Sequence, residues 1–186
     1  MKKVIFLDLG KHPITNNFLK TPKPDKEFFY NLKLVFNNKT KLISLANFVK
    51  PKMMFNDTYA HRASASMTMQ NAYNKLAEKI KKKYDPKKIL EIGSNDGVFI
   101  KNFKKVKNIG VEPCKNLAKI TKNMGIETYD EFWDFKLSNK IKEKHGKIDL
   151  IYSANTISHI HNLSETFKAI KNLLGEDGIF ILEDPS

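Results

Sequence analysis

Ile89-Leu90-Glu91-Ile92-Gly93-Ser94-Asn95-Asp96-Gly97 is the stretch on which the fold of this 186-residue chain turns. Apolar residues bracket one acid and run into a glycine, the pattern of a buried strand that ends in a sharp turn. A strand over 88–93 and a helix over about 97–105 are therefore expected, and the two glycines let the backbone turn tightly and come close to a ligand. The alternation repeats downstream. Strands are expected over 108–112, 127–130, 148–155 and 178–183. Helices are expected through Leu117, Ile120 and Met124 up to Gly125, over 135–144, and from the capping-box sequence Asn162-Leu163-Ser164-Glu165 to Gly175. Five strands separated by helices argue for an α/β fold, a Rossmann-like parallel sheet with helices on both faces.

Upstream of the stretch, Met69, Ala72, Tyr73, Leu76, Ala77, Ile80 and Tyr84 lie at helical spacing, and Asp85-Pro86 ends that helix. Residues 1–60 lack such a period. Val4 to Leu9, Phe28 to Phe36 and Leu42 to Val49 read as strands, punctuated by Pro13, Pro22 and Pro24. The expected organisation is a small β-rich appendage over 1–65 followed by the α/β domain over 66–186.

Composition bounds the function. The formal net charge is +13, and all of the excess sits in the first half: 18 lysines and Arg62 face six acids over residues 1–90, while 14 lysines balance 14 acids thereafter. A basic half suits an anionic partner. A chain with 32 lysines and one arginine, however, lacks the guanidinium forks that base and phosphate recognition favour, which disfavours nucleic acid. No window approaches the ~18 apolar residues of a membrane span. Met1-Lys2-Lys3 leads into only four apolar residues before Asp8, too few for a secretory signal, so a cytoplasmic location is expected. The single cysteine, Cys114, excludes an internal disulfide and a cysteine-cluster zinc site.

Glu112 ends the second α/β strand, nineteen residues after Gly93, where an acid can accept both ribose hydroxyls of an adenosine. A dinucleotide fingerprint would place further glycines at a helix N-terminus to meet a pyrophosphate. Here Asn95 and Asp96 stand in that place, and a carboxylate there favours a cationic ligand.

The acid-x-Gly-x-x-x-Gly loop with an acid after the second strand resembles the S-adenosylmethionine site of class I methyltransferases. The resemblance implies that Glu91, Gly93, Asn95, Asp96 and Gly97 cradle the methionine and ribose portions, that Glu112 holds the ribose, and that Asp130 with Glu131 flanks the adenine. Four further segments narrow it. Leu7-Asp8-Leu9-Gly10-Lys11-His12-Pro13-Ile14-Thr15-Asn16-Asn17-Phe18-Leu19, Tyr59 to Met69, Ser153-Ala154-Asn155-Thr156-Ile157-Ser158-His159-Ile160 and Glu183-Asp184-Pro185 are similar, in order, to segments of bacterial sugar C-methyltransferases, which methylate a carbon of a nucleotide-linked keto-deoxysugar. The acceptor implied is a small-molecule NDP-sugar. Asn155 then falls at the cofactor edge, Tyr59 and His61 in the sugar pocket, and His159 serves as base or as donor to an enolate oxygen.

Two departures stand out. The family's amino-terminal zinc module relies on cysteine pairs that this chain lacks, so no metal is expected. The chain also ends at Ser186, just after the fifth strand, where the family continues into a carboxy-terminal half. A complementing chain, or self-association through the fifth strand, would cover the edge left there. An inactive cofactor-binding fragment, half of a split enzyme, and a methyltransferase for another small molecule or RNA are the alternatives. The sequence Ala154-Asn155-Thr156-Ile157 lacks the Pro-Pro tetrad of base N-methylation.

Overall fold

The computed structural model describes residues 3–15, 18–21, 25 and 27–184. Met1, Lys2, Asn16, Asn17, Pro22, Pro24, Pro185 and Ser186, named above, lie outside the described residues. The chain divides into two compact units, Met1–Ala60 and His61–Ser186, so that residues 61–65 belong with the second.

The first unit is an antiparallel sheet of β1 (Lys3–Pro13), β2 (Phe29–Asn37) and β3 (Ile43–Leu45), in that order, followed by one turn of helix, α1 (Pro51–Met54). The expected first strand stops at Gly10, but β1 continues to Pro13. Gly10 sits at φ 76°, inside a register shift between Asp8 and Lys11, and the Asp8 carboxylate accepts its N–H at 3.0 Å. A bulge of this kind absorbs residues without ending the pairing. The β2–β3 hairpin is closed by Asn37, whose Oδ1 accepts the N–H groups of Lys39 and Thr40 at 2.9 and 3.2 Å. The third strand is shorter than expected, and α1 has no counterpart among the expected elements.

In the second unit α2 (Met67–Tyr84) leads into a five-stranded sheet. Ser66 caps the helix by accepting the Met69 N–H, and Asp85, in the left-handed region, ends it. The strands are β4 (Lys88–Ile92), β5 (Lys107–Val111), β6 (Glu127–Tyr129), β7 (Ile148–Ala154) and β8 (Leu174–Glu183). They run parallel in the order β6-β5-β4-β7-β8, which puts β4 in the centre. Between them lie α3 (Lys115–Asn123), α4 (Phe135–His145) and α5 (Leu163–Leu173).

Strand alternation divides the core. Leu90 and Ile92 join Leu137 and Ile141 of α4 and Ala169 and Ile170 of α5 on one face. Ile89 joins Tyr73, Ala77 and Ile80 of α2 with Phe99, Phe103 and Tyr152 on the other. Helices thus cover both faces, as expected.

The helix expected over 97–105 does not form. A single 3-10 turn, Ile100–Asn102, takes its place. The Asn102 side chain donates to the carbonyls of Val98 and Phe99 at 3.1 and 2.8 Å, a local bond that competes with the helical ladder. Phe99 and Phe103 are fully buried, with ring centroids 5.3 Å apart, and Phe99 lies 3.9 Å from Tyr152. The last strand also departs from expectation. It begins at Leu174, opposite Ile148, and resumes at Ile179, opposite Leu150. The residues between form a bulge in which a Cβ on Gly178 would stand 2.8 Å from the Gly175 nitrogen, an approach only glycine permits.

Candidate functional site

Because all five strands run parallel, their carboxyl ends lie along one edge of the sheet, and β4, at the centre, turns there into the glycine loop. The N–H groups of Gly93 and Ser94 both donate to the Val111 carbonyl at 2.8 and 3.0 Å, which folds the loop over the end of β5. Gly93, Asn95 and Gly97 all have positive φ, at 74°, 49° and 79°. The space beside each glycine is filled by protein: Thr156 stands against Gly93, and Thr121 of α3 against Gly97.

Glu112 follows β5 and is 5% exposed. Its Oε2 accepts the Asn95 N–H at 2.8 Å and its Oε1 the Cys114 N–H at 2.9 Å. A carboxylate has about four lone-pair sites, so these two bonds orient it and leave acceptor capacity for hydroxyl groups. Burial pushes its carboxyl up, against the hydrogen bonds from Cys114 and Asn95 that favour the anion.

Glu91, on β4, is 4% exposed, and its Oε2 has no hydrogen-bond partner among the described residues. Burial, with the charges of Glu112 and Asp96 behind it, holds this carboxyl well above the usual range despite the Ile100 N–H it accepts. Ser94 Oγ is likewise buried and unpartnered among the described residues. Burial also pushes the neighbouring Tyr73 up to about 12. Tyr152 is raised by burial too, and its hydroxyl donates to Glu183 Oε2 at 3.1 Å.

The remaining expected residues lie along the same edge or apart from it. Asn155, exposed at φ 49°, donates its N–H to the Glu183 carbonyl at 2.7 Å, tying the ends of β7 and β8 together. His159 is exposed and closes a 3-10 turn, Ile157–His159, which is held by Ser158 donating to Asp184 through its N–H and Oγ. Asp130, just past β6, pairs with Lys122 at 3.1 Å, and that hydrogen bond lowers its carboxyl. Glu131 pairs with Lys140 instead. The His61 carbonyl accepts from Asn95 Nδ2 at 3.3 Å, which places His61 beside the loop. Tyr59 belongs to the first unit, where its ring lies 5.6 Å from Phe55. Asp96 is 1% exposed, and both of its oxygens face Ser64.

Local pattern did not assign roles to Thr156, Ser64 or the Cys114 N–H. Thr156 and Ser64 sit inside segments singled out in the sequence, and the backbone donor at 114 follows from the chain turning back after β5.

An acid-lined loop with left-handed turns, an oriented carboxylate and two unpartnered buried oxygens fits a ligand that carries positive charge and hydroxyl groups. It does not fit a phosphate. Among the described residues no three His, Cys, Asp or Glu side chains form a metal cluster, and no helix is long and apolar enough to cross a membrane.

Residues 59–186 match the family model described as "Methyltransferase domain", and residues 1–55 match one described as "Putative zinc binding domain". The chain is 25% identical over 185 residues, 96% of its length, to the C-methyltransferase NovU of Streptomyces niveus, and spans 44% of that protein. Among solved structures it resembles the plantazolicin methyltransferase BpumL in complex with a pentazolic desmethylPZN analog and SAH. That likeness has a TM-score of 0.53 at 11% identity, covers 66% of this chain and 49% of the other, and shows the fold alone.

Proposed function

Because the chain belongs to the S-adenosylmethionine-dependent methyltransferases, its residues 59–186 matching their domain, we propose that it holds this cofactor over residues 91–97 and Glu112 and serves methyl transfer to a carbon of a nucleotide-linked keto-deoxysugar. The observation that carries the cofactor reading is the bond between Glu112 Oε2 and the Asn95 N–H, which fixes an acceptor for ribose hydroxyls against the loop. The unpartnered Glu91 Oε2 adds an acceptor for an ammonium group, and Asp130 and Asn155 stand at the same strand ends. When bound, the cofactor supplies an electrophilic methyl on a sulfonium.

The acceptor class is supported by the similarity to NovU across nearly the whole chain and by the four sequence segments, which include His159 in its exposed turn. In this reading His159 removes the proton alpha to the ketone or donates to the enolate oxygen, and proximity to the methyl does the rest. His61, beside the glycine loop, contributes to the sugar side. The chain spans less than half of NovU, so binding and turnover are separate questions. The edge of β8, which pairs with β7 alone among the described strands, is where a complementing chain or a second copy would add to the sheet.

The test has two arms. Titration with S-adenosylhomocysteine reads binding, and transfer of a labelled methyl to a nucleotide-linked keto-deoxysugar, with His159→Ala as control, reads turnover. Binding with label in the sugar, lost in the variant, supports the whole reading. Binding without label favours a cofactor-binding chain that does not act alone or acts on another acceptor. No binding removes the reading altogether.

A further inference from the structure

The segment 61–66, ahead of α2, contains one 3-10 turn, Ala63–Ala65, and no other regular structure, yet it is fastened to the glycine loop at several points. Ala63 N–H donates to Asn95 Oδ1 at 3.0 Å, and Asn95 Nδ2 donates back to the His61 carbonyl at 3.3 Å. Ser64 gives Asp96 both its N–H, 3.3 Å from each carboxylate oxygen, and its hydroxyl, at 2.5 Å. Gln70, from the first turns of α2, donates to the Ser64 carbonyl at 2.8 Å. A carboxylate taken out of water needs such donors, and Asp96 obtains them from a residue 32 positions away.

We propose that Asp96 and Ser64 form a clasp that holds the 61–66 strap on the cofactor loop, so that Asp96 acts on cofactor binding as a positioning residue through the strap and not as a ligand. The inference rests on the cofactor reading above and revises the place of one residue within it. The clasp is joined to the ribose side. Asn95, whose side chain takes the strap, gives its N–H to Glu112 Oε2 and accepts the Thr121 hydroxyl at its own carbonyl. A ligand that orders Asn95 against Glu112 therefore also orders the acceptor for Ala63, and closing the strap and binding the cofactor favour one another. His61 is carried by the strap, which ties the clasp to the acceptor side of the site.

Arg62 makes this measurable. It is exposed, lies within the strap, and is the one arginine of the chain, so an arginine-specific protease cuts only there. Cleavage after Arg62 is followed on the full chain, with and without S-adenosylhomocysteine, for wild type, Ser64→Ala and Ser64→Thr, alongside hydrogen exchange of the β4 amides. In the wild type the ligand slows cleavage. Ser64→Ala speeds cleavage of the free protein and weakens ligand binding, each by about tenfold, the scale of one lost hydrogen bond to a charged group. Ser64→Thr restores both, and β4 exchange stays unchanged throughout. Wild-type cleavage and binding in Ser64→Ala overturn the clasp. So does faster exchange in β4, which marks general destabilisation, and so does weaker binding at unchanged cleavage, which makes Ser64 a direct contact. If the wild type binds no ligand, the cofactor reading fails, and cleavage of the free Ser64→Ala protein still decides whether the clasp exists.

Discussion

Residue 93 has no room for a side chain beside Thr156: a Cβ built on Gly93 would stand 2.8 Å from Thr156 Cγ2 and closer still to its Oγ1. The contact presses the turn after β7 on to the turn after β4. Thr156 is itself held, its hydroxyl donating to the Ala154 carbonyl at 2.9 Å. Two neighbouring strands thereby set the shape of the glycine loop together.

Gly93→Ala is accordingly expected to fail twice, through the clash and through its φ of 74°. The backbone part alone costs about 1–2 kcal/mol. The variant should melt several degrees lower and bind S-adenosylhomocysteine weakly. Adding Thr156→Ala relieves the clash but not the backbone, so the double variant should recover only part of the loss. Gly93→Ala with wild-type melting and affinity would show that the two turns are not locked together.

Glu91 sets a pH dependence. Burial first, then the charges of Glu112 and Asp96, raise its carboxyl in the folded protein. A carboxyl raised on folding contributes stability that is full below its unfolded pKa, about 4.3, and is lost as pH rises through the folded value. Glu91→Gln removes that loss. Thermal melts from pH 4.5 upward should therefore show the wild type falling behind Glu91→Gln progressively, whatever the offset at the starting pH. A constant gap would mean that Glu91 ionises in the folded protein as it does in the unfolded one.

Residues 1–55 match a family described as putative zinc binding, yet they contain no cysteine and one histidine, His12, whose Nε2 lies 2.9 Å from the Leu9 carbonyl. A closed four-ligand zinc site cannot be assembled from that set. Metal analysis of the purified chain should find no stoichiometric zinc, and chelator should leave the melt unmoved. One zinc per chain would overturn this account of the first unit.

What could be read in advance followed from local pattern. Ile89 to Ile92 reads as a buried strand because apolar residues surround one acid, and Glu112 reads as a site residue because it stands at the next strand end. The 97–105 segment misled because its apolar residues suit a helix, while the Asn102 side chain takes the carbonyls a helix would use. The strand through Gly10 reads short in the sequence because a bulge and a stop look alike until the partner strand is known. Asp96 reads as a cofactor residue from its place in the loop, and its bond to Ser64 is not legible in the sequence because Ser64 lies in another segment and no spacing rule connects the two.

We propose above that the loop over 93–97 and Glu112 form a site for S-adenosylmethionine. Isothermal titration of the full chain with S-adenosylhomocysteine, and in parallel with NAD, decides it, with Glu112→Ala as the control. The wild type should bind S-adenosylhomocysteine and not NAD, and Glu112→Ala should weaken that binding by about 1–3 kcal/mol, the scale of a hydrogen-bonding group left without its partner. Tight binding of NAD with no response to S-adenosylhomocysteine would contradict the account.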